Sequence, residues 1–202
     1  MLYAQRERFE KYSVKIGLIF SKLGLTPNQW TILSLMPAII SFYYLINNQY
    51  LLSGTFLLLA GFLDVVDGAV ARVTRKVSKL GAYLDTIVDR YVEGLIIIGL
   101  FLVTLNTPQL IFFPMSIWVL LYLFGSFLTT YAKAAAKEKD IVSKKELKGG
   151  ILERAERLSL LTIGIFLAHW QPTYLNYVII LLAIFTNISA LQRIILTCKT
   201  AK

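Results

Sequence analysis

The stretch Tyr50-Leu-Leu-Ser-Gly-Thr-Phe-Leu-Leu-Leu-Ala-Gly-Phe-Leu-Asp64-Val-Val-Asp67-Gly-Ala-Val-Ala71 decides the fold. It runs without a charge to Leu63 and then sets two aspartates three residues apart. Roughly 20 mostly apolar residues cross the bilayer's hydrocarbon core, about 30 Å thick. The stretch is therefore read as a membrane span. It is read as a helix because an open strand edge in lipid leaves its backbone groups unsatisfied.

Five more stretches meet the same condition: Pro27–Ile46, Leu84–Leu105, Gln109–Ala132, Ile151–Trp170 and Thr173–Leu196. Very short links after the first, third and fifth spans make antiparallel hairpins. The expected fold is an all-α integral membrane protein of six transmembrane helices. Residues 27–202 form this single membrane domain. Residues 1–26 form a cytoplasmic juxtamembrane segment, polar and basic at its start and unlike a cleavable signal peptide. In it Phe9, Tyr12, Ile16, Ile19, Phe20 and Leu23 recur every three to four residues, with Lys11, Lys15 and Lys22 elsewhere around the turn. That pattern reads as an amphipathic helix on the membrane surface; a fraying basic tail is the alternative.

Composition agrees. Of 202 residues, 56% are hydrophobic and 16% charged, which excludes a disordered chain and suits an ordinary soluble domain poorly. One cysteine, Cys198, and one histidine, His169, exclude a disulfide framework and Cys- or His-based metal sites. The net charge of +9 comes from 21 Lys and Arg against 12 acids. All 21 lie before span one, around the second-to-third and fourth-to-fifth connections, or at the C-terminal end. The opposite links, 47–49, 106–108 and 171–172, hold none. The positive-inside rule puts both termini in the cytoplasm. The charge is topogenic and faces anionic headgroups, so no nucleic-acid partner is expected.

Against that background the acids stand out. Asp64 and Asp67 close span two; Asp85 and Asp89 open span three, followed by Glu93. A central acid costs a membrane helix about 2.5–3.5 kcal/mol on insertion scales, so intramembrane ionisable groups point to function. Spacings of three and four residues put each pair on one helix face. Antiparallel spans set the pairs at similar depth. Four facing carboxylates repel unless cations bind between them. An oxygen-only ligand set favours Mg²⁺, Mn²⁺ or Ca²⁺, and two adjacent ions suit displacement at phosphorus. The alternative is ion pairing with Arg72, Arg75 or Arg90.

The residues Asp64, Asp67, Gly68, Ala71, Arg72, Gly81, Asp85 and Asp89 match in full a signature of eight fixed residues over 26 positions. It resembles that of the CDP-alcohol phosphotransferase family, D-x2-D-G-x2-A-R-x8-G-x3-D-x3-D. The resemblance implies that the four aspartates hold two divalent cations, Mg²⁺ or Mn²⁺. It implies that Asp89 is also the general base for the acceptor hydroxyl; a fourth metal ligand only is its other reading. It implies that Gly68, Ala71, Arg72 and Gly81 bind the cytidine diphosphate part of a CDP-alcohol lipid donor. Small side chains at Gly68, Ala71 and Gly81 let a ligand approach the backbone, and Arg72 can neutralise a phosphate. Thr26-Pro27-Asn28 also looks like the family's opening of span one. A plain helix start explains it as well as a cytidine contact does, with Asn28 and Thr31 as candidate contacts.

In the reaction so implied, an alcohol attacks the β-phosphorus of a CDP-alcohol and CMP leaves. Lys133, Arg154, Arg157 and Arg193 gather at the cytoplasmic ends of spans four to six, which suggests an acceptor with its own phosphate. Topogenic snorkelling is the alternative. Thr130-Tyr-Ala-Lys133-Ala and Glu153-Arg154-Ala-Glu156-Arg157 resemble stretches of the phosphatidylinositol-phosphate synthase branch. The resemblance implies that Thr130, Lys133, Arg154 and Arg193 hold the phosphate of myo-inositol phosphate, while Arg157 either joins them or anchors Glu153. Ala135 and Lys137 depart from that branch. The expected enzyme is a homodimer making a phosphatidyl- or archaetidyl-inositol phosphate. A di-myo-inositol-phosphate phosphate synthase using CDP-inositol is the runner-up, and glycerophosphate is the third acceptor. An ion transporter is the rival from another class. Its ionisable groups should reach both faces, whereas the outer halves of these spans are apolar.

Overall fold

The computed structural model describes residues 13–105, 107, 111–141 and 151–200. Phe9, Tyr12, Lys144, Lys145, Lys148 and the Gly149-Gly150 pair lie outside the described residues. Among the described residues the chain is helical, with no strand. Helix α1 covers residues 13–21. It is followed by α2 (Pro27–Leu33), α3 (Leu35–Ile46), α4 (Tyr50–Val73), α5 (Lys79–Thr104), α6 (Met115–Glu138), α7 (Arg154–Ala168) and α8 (Thr173–Thr200). By length and composition, Pro27–Ile46, Met115–Glu138 and Pro172–Thr200 are able to cross a membrane.

Local chemistry explains where the helices differ from the expected spans. The first span is two helices, broken at Ser34. Pro37 has no N–H to give the Leu33 carbonyl, which interrupts the ladder there. Thr26 caps α2: the Gln29 N–H donates to its hydroxyl and its own N–H donates to Gln29 Oε1 at 2.7 Å, with Pro27 in the first turn. Helix α5 starts at Lys79 rather than Leu84, because the Ser78 hydroxyl accepts the Gly81 N–H at 2.9 Å. Pro114 delays α6 to Met115. A capping box between Glu153 and Glu156 starts α7 at Arg154, and its 15 residues fall short of the expected span.

The chain divides into two units, one of residues up to 44 with Leu52–Ile96, the other of Leu45–Leu51 with Ile97 onward. In the first unit Trp30, Leu63, Val66 and Val70 form a buried cluster against which Ile16, Phe20 and Leu33 pack. Phe20 meets the Trp30 ring edge-on at 5.4 Å. Helix α1 therefore turns Ile16 and Phe20 inward, while Ile19 and Leu23, expected on the same stripe, are exposed. Gly17 permits this docking, since a Cβ there would lie 2.6 Å from the Ala69 carbonyl oxygen. Buried Ser41 donates to the Ser53 carbonyl at 2.8 Å, tying α3 to α4.

In the second unit α8 packs along α6 and α7. At Gly125 a Cβ would meet Thr186 Oγ1 at 2.5 Å, so α6 and α8 approach closely there. The Asn187 amide donates across this contact to the Leu121 carbonyl at 2.8 Å. Gly164 plays the same part for α7 against Val178.

Candidate active site

Two helix faces in the first unit bring the acids together. Asp64 and Asp67 share a face of α4, and Asp85 lies in the second turn of α5. Each offers a carboxylate oxygen, and the three oxygens lie within 4.8 Å of one another. Asp67 is buried, and the Thr31 hydroxyl donates to its Oδ2 at 2.5 Å. Asp89 stands one turn further along α5 and is not one of the three. Glu93, the fifth acid of the run, pairs with Arg90 at 2.5 Å.

Three carboxylate oxygens at this spacing repel one another in a partly desolvated place. They relax when a hard divalent cation sits among them, and an all-oxygen donor set suits Mg²⁺ or Mn²⁺. The residues therefore fit the expected metal chemistry.

Beside the acids is a cavity of about 310 Å³, at the lower end of the roughly 300–1,000 Å³ typical of small-molecule sites. Asp67 and Asp85 line it, together with every residue expected at the donor: Asn28, Thr31, Gly68, Ala71, Arg72 and Gly81. The two glycines matter for their missing side chains. A Cβ on Gly81 would stand 3.1 Å from Asn28 Oδ1, and one on Gly68 would stand 3.3 Å from an Arg72 guanidinium nitrogen. Arg72 donates to the Ser13 hydroxyl at 2.6 Å. Lys76, Val77, Ser78 and Ala82 also line the cavity and were not anticipated. Lys76 and Ser78 lie inside the short α4–α5 connection, and the sequence signals Lys76 only as one of the basic residues there.

The expected acceptor residues belong to the second unit. Thr130 and Lys133 lie on α6, Arg154 and Arg157 on α7, and Arg193 on α8. Arg157 and Arg193 are buried, and Arg193 lies within electrostatic reach of Arg157 and of Glu153. Arg193 donates to the Thr129 carbonyl at 2.8 Å. Lys133 is exposed, and Thr130 Oγ1 turns toward the Ser126 carbonyl at 3.5 Å. Glu153 is the N-cap of α7, and its N–H donates to Glu156 Oε2 at 2.8 Å.

Residues 24–189 match the CDP-alcohol phosphatidyltransferase family, so the chain belongs to that family. It is a phosphotransferase and, with its long apolar helices, a membrane protein. Over 164 residues it is 33% identical to the archaetidylinositol phosphate synthase of Pyrococcus horikoshii, with 81% of each chain covered. Over 182 residues it is 32% identical to a bifunctional IPC transferase and DIPP synthase of Aquifex aeolicus, covering 86% of this chain and 39% of that protein. Its fold is similar to that of the phosphatidylinositol phosphate synthase of Mycobacterium tuberculosis with CDP-DAG bound, at 25% identity and a TM-score of 0.80 over 93% of this chain and 94% of that one. The same protein in complex with manganese and citrate superposes with a TM-score of 0.81, at 25% identity over 92% and 88% of the two chains.

Proposed function

We propose that the protein transfers a phosphatidyl or archaetidyl group from a CDP-activated lipid to myo-inositol phosphate, releasing CMP. One observation carries the reading: the oxygens of Asp64, Asp67 and Asp85 converge within 4.8 Å beside a cavity lined by the whole expected donor set. With Asp89 these acids would hold two divalent cations, which supply charge stabilisation at the pyrophosphate. The protein's own residues bind and orient. Gly68, Ala71 and Gly81 leave room for the diphosphate against the backbone, and Arg72 presents positive charge to it. Asn28 offers its amide to the cytidine end. Asp89 accepts the proton of the acceptor hydroxyl, whose oxygen bonds to the β-phosphorus as the bond to CMP breaks. Thr130, Lys133, Arg154, Arg157 and Arg193 receive the acceptor's phosphate; two buried arginines and a relative named for archaetidylinositol phosphate support this.

In this reading α4, α5 and α7 complete a six-span homodimer subunit with cytoplasmic termini and an active site at the inner leaflet. The distribution of Lys and Arg supports that orientation.

A second reading, CDP-inositol as the donor, is favoured by the likeness to the bifunctional DIPP synthase. The test is CMP release by the purified protein with Mg²⁺, using CDP-lipid or CDP-inositol against inositol phosphate, inositol and glycerophosphate. Turnover with CDP-lipid and inositol phosphate is expected. Turnover with CDP-inositol alone would favour the second reading, and no CMP with any pair would overturn both.

A further inference from the structure

We infer that Ser13, on the juxtamembrane helix α1, is a positioning residue for the donor site through its hydrogen bond to Arg72. The inference rests on the proposed role of Arg72 at the donor diphosphate.

Arg72 is exposed at the cytoplasmic end of α4 and lines the cavity beside Asp67 and Asp85. A free arginine there would sample many rotamers and meet the donor at an entropic cost. Two contacts restrict it. Its guanidinium lies over Gly68, whose missing Cβ leaves 3.3 Å of clearance. One of its terminal nitrogens donates to Ser13 Oγ at 2.6 Å, across 59 positions of sequence. A guanidinium has five N–H donors, so one spent on Ser13 leaves the others for an anion. A hydroxyl suits this task. It accepts from the guanidinium without neutralising it, whereas a carboxylate would compete with the phosphate.

Ser13 is itself held in place. Gly17 lies one turn on and seats α1 against the Ala69 backbone, while Ile16 and Phe20 pack into the Trp30 cluster. The opposite side of α1, Val14, Leu18 and Ile19, is exposed. Docking of this helix thus sets the Arg72 side chain.

The test compares Ser13→Ala, Ser13→Thr and Arg72→Ala with the unaltered enzyme by steady-state CMP release. Ser13→Ala should raise the donor KM about three- to tenfold, the size of one hydrogen bond's net contribution, with kcat and the acceptor KM kept. Ser13→Thr should restore the donor KM. In the Arg72→Ala background Ser13→Ala should add nothing further, because the shared contact is already lost. Gly17→Ala, which lifts α1 from Ala69, should reproduce the Ser13→Ala effect. If Arg72→Ala raises the donor KM but Ser13→Ala does not, the positioning role is overturned while the donor reading stands. If Arg72→Ala itself leaves the donor KM unchanged, the donor role of Arg72 fails first.

Discussion

The Thr31 hydroxyl donates a 2.5 Å hydrogen bond to Oδ2 of Asp67, linking α2 to the acid-bearing face of α4. Both residues are buried, so the bond fixes which carboxylate oxygen remains for a cation. Thr31 stands at this place because the Thr26 cap starts α2 at Pro27 and the missing Pro37 N–H leaves the Leu33 carbonyl where α2 ends.

Thr31→Val should therefore weaken the enzyme's hold on its metal more than its chemistry. Loss of a residue that orients a ligand costs about 10–100-fold in metal affinity or activity. The check is the Mg²⁺ concentration giving half-maximal CMP release. It should rise by that order, with the rate at saturating Mg²⁺ largely recovered. Thr31→Ser should behave like the unaltered protein, and an unchanged Mg²⁺ dependence in Thr31→Val would remove the orienting role.

Asp67→Asn removes a charged oxygen from the converging trio, and so do Asp64→Asn and Asp85→Asn. Each should lower turnover by more than about 100-fold, beyond what loss of an orienting neighbour costs. Treating the unaltered enzyme with a chelator should abolish CMP release, and added Mg²⁺ or Mn²⁺ should restore it. A variant of any of the three with the normal rate at low Mg²⁺ would break the shared-ligand assignment.

The convergence of Asp64, Asp67 and Asp85 was legible because it follows from spacing: three residues apart on one helix, facing a neighbour across a short connection. Asp89 illustrates the limit. Four residues advance a helix by about 6 Å, so a residue on the same face need not reach the same ion. The Thr26 cap and the first-turn Pro27 were readable for the same local reason. The break at Ser34 was present in Pro37 but hidden by a hydropathy pattern that continues through it. The Ser13–Arg72 bond lies 59 residues apart in sequence. It depends on Gly17 fitting against Ala69, and no periodicity carries such a contact. The apolar stripe of α1 divides for a related reason. Ile16 and Phe20 serve the core and Ile19 the outside, a division that needs the partner helix to be known.

Asp89→Asn separates the two roles open to that residue. As general base, it should lose turnover by about 10²–10⁴-fold while donor binding survives. The measurement pairs CMP release with equilibrium binding of the CDP-lipid in the presence of Mg²⁺. Donor binding that falls together with turnover would instead leave Asp89 a metal ligand only, with no part in proton transfer. Its place outside the trio of oxygens within 4.8 Å favours the first outcome.

Lys133 and Arg193 test the acceptor assignment, and their surroundings make Lys133 the cleaner probe. Arg193 is buried and donates to the Thr129 carbonyl, so Arg193→Ala strips a partner from α6 as well as a charge from the site. Lys133 is exposed on α6, and its truncation disturbs little packing. Lys133→Ala should raise the KM for inositol phosphate by about tenfold, the loss of one charge-assisted contact, with kcat unchanged, as removal of uniform binding does. Its effect should disappear when the acceptor is inositol without a phosphate, because the lost contact is to the phosphate alone. Steady-state kinetics with both acceptors read this directly. A rise in the donor KM instead, or an equal penalty with unphosphorylated inositol, would take Lys133 out of the acceptor site and leave its charge a topogenic one.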